Sequence, residues 1–204
     1  MKRQDFIVDM LESAEKANSD SSEVSYDLKQ EISASGFDSA AWSQLLNRFA
    51  HSPSAAVSAA LAWALVDDAE GQLQVDLGSV LRFAEALETF DHPGLAGGVL
   101  TAVAERLPGI GSEFGHSDSE RLRNLLLRCF GTGETGRFQV EICVLDVLER
   151  LNAAGALVQV FGDQGIAEVG TWLRSFAARE VDGPYAEDAR SLLAGLSGAG
   201  EVAG

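Results

Sequence analysis

Hydrophobic positions along this chain fall into short runs with helical spacing, separated by polar or turn-forming stretches, and the runs recur in step. Four of them end in Leu-x-x-Phe, at Leu46–Phe49, Leu87–Phe90, Leu127–Phe130 and Leu173–Phe176. Successive leucines of the motif lie 41, 40 and 46 residues apart. After each Phe comes a turn-like stretch: Ala50-His51-Ser52-Pro53, Asp91-His92-Pro93-Gly94, Gly131-Thr132-Gly133-Glu134 and Glu180-Val181-Asp182-Gly183-Pro184. A second apolar segment follows, in which Leu65, Leu107, Leu148 and Leu193 stand 16, 17, 18 and 17 positions after their Phe. Val57/Leu61/Leu65 and Val99/Val103/Leu107 recur at i, i+4 and i+8, the spacing of one helical face. The pattern predicts helix, short turn, helix, repeated four times.

Residues 1–36 stand outside this repeat. Phe6, Ile7, Met10, Leu11 and Ala14 recur at helical spacing, the Ser-rich stretch Asn18 to Ser25 ends that helix, and Tyr26, Leu28, Lys29 and Ile32 begin another that closes near Gly36. The pair is too short to hold a core of its own, so it is predicted to be an N-terminal helical cap. Residues 37–196 then form the repeats and residues 197–204 a flexible tail, in a single domain overall. A lone helix pair cannot bury its apolar face, whereas stacked pairs bury a continuous core. The length of the unit resembles that of HEAT or armadillo-type helical repeats rather than the roughly 34-residue tetratricopeptide repeat. That resemblance implies an all-α fold, a short α-solenoid of about four stacked helix pairs, with the second helices lining its concave surface. The third unit has glycines where the first two have proline, and the segment Gly155 to Gly165 stretches the fourth, so stacking is expected to be less regular there.

Composition fits this picture and narrows the partners. At 204 residues the chain can bury roughly 70% of its unfolded surface, and it needs neither disulfide nor metal to fold. Only four prolines occur, and many of the 21 glycines fall between apolar runs, where they read as helix stops. A formal charge of −16 opposes binding to nucleic acid or anionic lipid and favours a basic protein partner, at rates that salt would slow. The same charge also serves plain solubility. Cys129 and Cys143 form no CxxC pair and are expected to be reduced thiols of a cytoplasmic protein. The N-terminus lacks an apolar signal core. The Ala-rich run Ser54 to Val66 falls short of the ~20 residues that span a bilayer, and it is predicted to be a buried helix.

Motifs for chemistry are sparse. Gly131-Thr132-Gly133-Glu134-Thr135-Gly136 is formally GxGxxG, but the phosphate-binding versions of this pattern follow a β-strand, and residues 120–130 read as an amphipathic helix. Arg137 and Phe138 also stand where a P-loop needs Lys and Ser/Thr. His51 and His92 occupy equivalent turns about one repeat apart, near 10 Å between packed helices, too far to share a zinc ion. They and His116 are expected to face solvent. No GxSxG elbow or HExxH occurs, and no cofactor, metal or catalytic residue is assigned.

The acids carry more information. Asp67, Asp68, Glu70 and Asp76 cluster after the second helix of the first unit without the order of an EF-hand loop. Trp63, Glu105 and Asp146 stand 14, 15 and 16 residues after their unit's Phe, with Glu149 one turn beyond Asp146, off the main Leu/Val stripe. The HEAT-like resemblance implies an acidic column there with one aromatic anchor, suited to a basic protein. These eight residues are the candidate partner-binding set, unless Trp63 is core and the acids a solvated face. The expected function is non-catalytic protein binding. In size, charge and absence of catalytic motifs the chain is similar to immunity proteins that neutralise basic bacterial toxins. A scaffold or regulatory adaptor with several weak partners is the alternative, and an enzyme built from isolated residues comes third.

Overall fold

The computed structural model describes residues 3–71, 74–87, 93–107, 115–130, 138–180 and 183–199. These contain ten helices and no strand: α1 Arg3–Lys16, α2 Ser22–Ser33, α3 Ser39–Phe49, α4 Ala55–Gly71, α5 Leu77–Ala86, α6 Pro93–Arg106, α7 His116–Phe130, α8 Phe138–Ala153, α9 Leu157–Arg179 and α10 Pro184–Ala199. The expected turn after Phe49 separates α3 from α4, and Pro93 and Pro184 open α6 and α10. There the missing proline N–H belongs to a group with no helical partner anyway. Side chains cap several other starts, though not that of α9. Asp38 accepts from the Ala41 N–H at 2.8 Å, Asp76 from Ser79 at 2.8 Å, and Ser54 from Val57 at 3.3 Å.

Packing divides the chain into two compact units, Met1–Arg106 and Leu107–Gly204. In the first, α2 packs along α4 and α4 along α6, while α3 meets α5. Helix α4 touches α1, α2, α3 and α6 and is therefore apolar nearly all round, as the Ala-rich run predicts. Val57, Leu61 and Leu65 are fully buried, as are Val99 and Val103 of α6. The N-terminal helices are part of this unit. Asn18 takes a left-handed conformation (φ 47°) to end α1, with Ser19 N–H bonded to the Ala14 carbonyl at 3.2 Å. The Ser19 carbonyl in turn accepts from the buried Ser54 hydroxyl at 2.7 Å and from the Ala56 N–H at 3.1 Å. These two bonds fasten the α1–α2 turn to the head of α4.

In the second unit, contacts again join helices two apart, α7 with α9 and α8 with α10. Gly155 (φ 68°) ends α8, and Gly162 (φ 64°, ψ 173°) kinks α9 within the stretch expected to be irregular. The Leu-x-x-Phe copies differ in setting. Leu46–Phe49 and Leu173–Phe176 are buried, whereas Leu127 and Phe130 are half-buried and Leu87 follows the end of α5. Phe90 lies outside the described residues, as do the turn residues Gly131–Glu134. Phe130 belongs to an aromatic ladder with Phe161, Trp172 and Phe176, at ring separations of 5.2–6.2 Å. Helix α10 continues to Ala199, into the stretch expected to be a tail.

Candidate protein-docking face

Asp67, Asp68 and Glu70 belong to the last turns of α4 itself rather than to the connection after it, where of the four clustered acids only Asp76 lies. The Asp68 side chain is 5% exposed and forms an ion pair with Arg106, itself 3% exposed, at 2.7 Å. Its two oxygens also accept the Gln74 and Val75 N–H groups at 3.0 and 3.1 Å. Arg106 donates in addition to the carbonyls of Val75 and Ala102, both at 2.8 Å. Apart from the bond to Ala102, which lies within α6, these contacts tie α4, the connection at 74–75 and α6 to one another. Burial pulls the Arg106 guanidinium below its ordinary pKa, while the charges of Asp68, Asp76 and Glu105 push it back up.

Asp76 caps α5 and also accepts the Ser79 hydroxyl at 2.9 Å. Burial works to raise its pKa, but the bonds from Ser79 and the charge of Arg82 outweigh that and hold it below the ordinary value. Asp67 pairs with Lys29 of α2 at 2.6 Å. Glu70 stands in the last turn of α4, its side chain outside the described residues. Glu105 of α6 is half-buried.

Asp146 and Glu149 belong to α8 in the second unit. Asp146 accepts from Arg150 at 2.9 Å, and burial together with the charges of Asp188 and Asp146 raises the Glu149 pKa. Trp63 and Glu105 thus stand on packed neighbours, α4 and α6, of the first unit, and the two α8 acids stand together in the second.

Trp63 is where the apolar helix reaches solvent. It is 39% exposed, whereas the residues around it from Ser54 to Val66 are buried or, at Ala55, half-buried. Its indole lies across Gly98 of α6, where an added Cβ would stand 3.3 Å from the ring. On its other side it walls a groove between α2 and α4 of about 380 Å³, floored by Ala55, Ala56 and Ala59 and faced by Tyr26.

Tyr26, 63% exposed, was not among the expected contact residues, and neither was Phe6, 43% exposed. Among the described residues, three of the four exposed large hydrophobic side chains are Phe6, Tyr26 and Trp63 (Val158 is the fourth). Their helical phase carried the signal. Tyr26 stands two positions before buried Leu28, on the opposite face of α2, and Phe6 is one position off the buried stripe Ile7, Leu11, Ala14.

Catalytic and metal chemistry gain no support from the geometry of the described residues. No group of three or more His, Cys, Asp or Glu among them could hold a metal ion. His51 and His116 are exposed, while His92 lies outside the described residues. Cys129 is buried and Cys143 half-buried, both as free thiols. Helix α7 leads into the glycine-rich segment, so the β-strand required of a phosphate loop is not what precedes it. No helix among the described residues is long and apolar enough to cross a membrane. No protein family, curated protein or solved structure matches this chain.

Proposed function

We propose that this chain is a non-catalytic binding module, built from HEAT-like stacked helix pairs, that captures a basic protein and masks it as an immunity protein masks a toxin. The observation that carries the reading is that three exposed aromatic side chains, Phe6 in one groove beside α2 and Tyr26 and Trp63 in another, belong to the first unit, which bears seventeen Asp and Glu against seven Lys and Arg. Exposed aromatic side chains of this kind act as anchors, and a surrounding excess of one charge steers and selects an opposite partner. The stacked-pair reading rests on contacts between helices two apart in both units.

The test compares the native chain with Tyr26→Ala and Trp63→Ala variants as bait in a host lysate, at low and high salt, after circular dichroism has established equal helicity. One stoichiometric basic protein is expected, weakened by salt and lost or reduced about tenfold or more in affinity by either substitution. A partner that is acidic, or one held equally by both variants, overturns the reading.

A further inference from the structure

Helix α2 has a second groove on its other side, against α1. Phe6 and Met10 of α1 border it, Val24 and Leu28 of α2 face them, and Asp9 and Asp27 flank the apolar lining, around a volume of about 560 Å³. Phe6/Met10 and Val24/Leu28 are each four residues apart, so two i, i+4 ridges run along the groove. A third helix laid between them would pack its own ridge into the space they leave. The walls, α1 of 14 residues and α2 of 12, are about 18–21 Å long, room for three to four turns of such a helix.

We propose that this groove receives an amphipathic helix of the partner, with apolar residues at i, i+3, i+4 and i+7 and Lys or Arg on its flanks. The proposal rests on the reading of the chain as a receptor for a basic protein. Charge selects the occupant. Asp9 and Asp27 are exposed, and neither is paired with a Lys or Arg among the described residues, so both are open to cations of a docked helix. A second copy of this chain, at −16, would set acid against acid. An extended segment bound by strand addition would need a sheet edge, and the described residues contain no strand. Phe6 and Met10 would supply most of the affinity and the two aspartates the direction and rate of approach.

The experiment uses the full chain and two labelled synthetic helices as long as α1, one of leucine and lysine and one of leucine and glutamate, with leucines on a single face. Binding is followed by fluorescence anisotropy, and the site by amide chemical shifts. The lysine peptide is expected to bind and to shift Phe6, Met10 and Val24, while the glutamate peptide does not bind. Phe6→Ala and Asp27→Lys, both at exposed positions, should each weaken the lysine peptide about tenfold, and Val158→Ala, at an exposed position of the second unit, should leave it unchanged. If Trp63→Ala abolishes binding and Phe6→Ala does not, the helix sits in the α2/α4 groove, which overturns this proposal and leaves the basic-partner reading standing. If the two peptides bind alike, or neither binds, both are overturned.

Discussion

Asp68 and Asp27 stand on helices of the same unit and contribute equally to its negative charge, yet their carboxylates meet opposite surroundings. Asp68 is sealed inside, paired with Arg106 from 38 residues further along and bonded to two backbone N–H groups. Asp27 faces solvent beside the α1/α2 groove, with no cation of the described residues paired to it. A buried carboxylate persists only where the fold supplies its counter-charge and its hydrogen bonds. Net charge therefore mixes two populations, acids consumed by the fold and acids left on its surface, and only the second can recruit a partner.

The contrast is sharpest in stability. Asp68→Ala strands the Arg106 charge in the interior and should cost about 3–5 kcal/mol in urea unfolding. A loss below about 1 kcal/mol would put Asp68 among the surface acids. Combining Asp68→Leu with Arg106→Met should recover part of that loss, the remainder reporting the unmet N–H groups of Gln74 and Val75.

Asp76 falls between the extremes, half structural and half wet. Asp76→Ala should cost about 1 kcal/mol through loss of the α5 cap. Its folded pKa lies below the ordinary 3.8, so its contribution is fully present above that value and is lost as pH falls through the folded pKa. Asp76→Asn should accordingly flatten the acid limb of stability against pH. An unchanged limb would assign the cap to the Ser79 contacts without charge.

The same packed-against-open contrast occurs within α6. At Gly97 an added Cβ would meet nothing nearer than 4.0 Å, so Gly97→Ala should gain about 0.5–1 kcal/mol of helix propensity. At Gly98 the methyl would press on Ala62 at 3.1 Å and on the Trp63 ring, so Gly98→Ala should gain nothing in thermal unfolding and should shift indole emission. Smallest of all, Asp27→Ala should move stability by no more than about 0.5 kcal/mol, and a larger change would mean that Asp27 holds the fold after all.

Local pattern disclosed much of this architecture in advance. The helices, the turn after Phe49, the buried run through α4 and the irregular stretch at Gly162 all follow from periodicity and glycine or proline placement, which act over a few residues. The fate of the acids does not. Nothing near Asp68 announces Arg106, because their pairing is made by the packing of α4 against α6. Treating residues 1–36 as a cap passed over Phe6 and Tyr26, though their phase against Ile7 and Leu28 was readable. Trp63 stood out by residue type, but the glycine seat beneath it, Gly98, depends on the register of two helices.

The bonds from Ser54 and Ala56 to the Ser19 carbonyl bear on how a partner would be held. Because the turn before α2 is moored to the head of α4, α2, which walls both grooves, is tied to the core of its unit. Were a partner to dock there as proposed, little chain entropy would be surrendered on association, and encounter would proceed as the docking of one rigid body on another. Ser54→Ala, which removes one of the two mooring bonds and the cap of α4 with it, would leave every groove residue in place and still slacken the grip, since the free chain would spend part of its time in shapes that no longer fit.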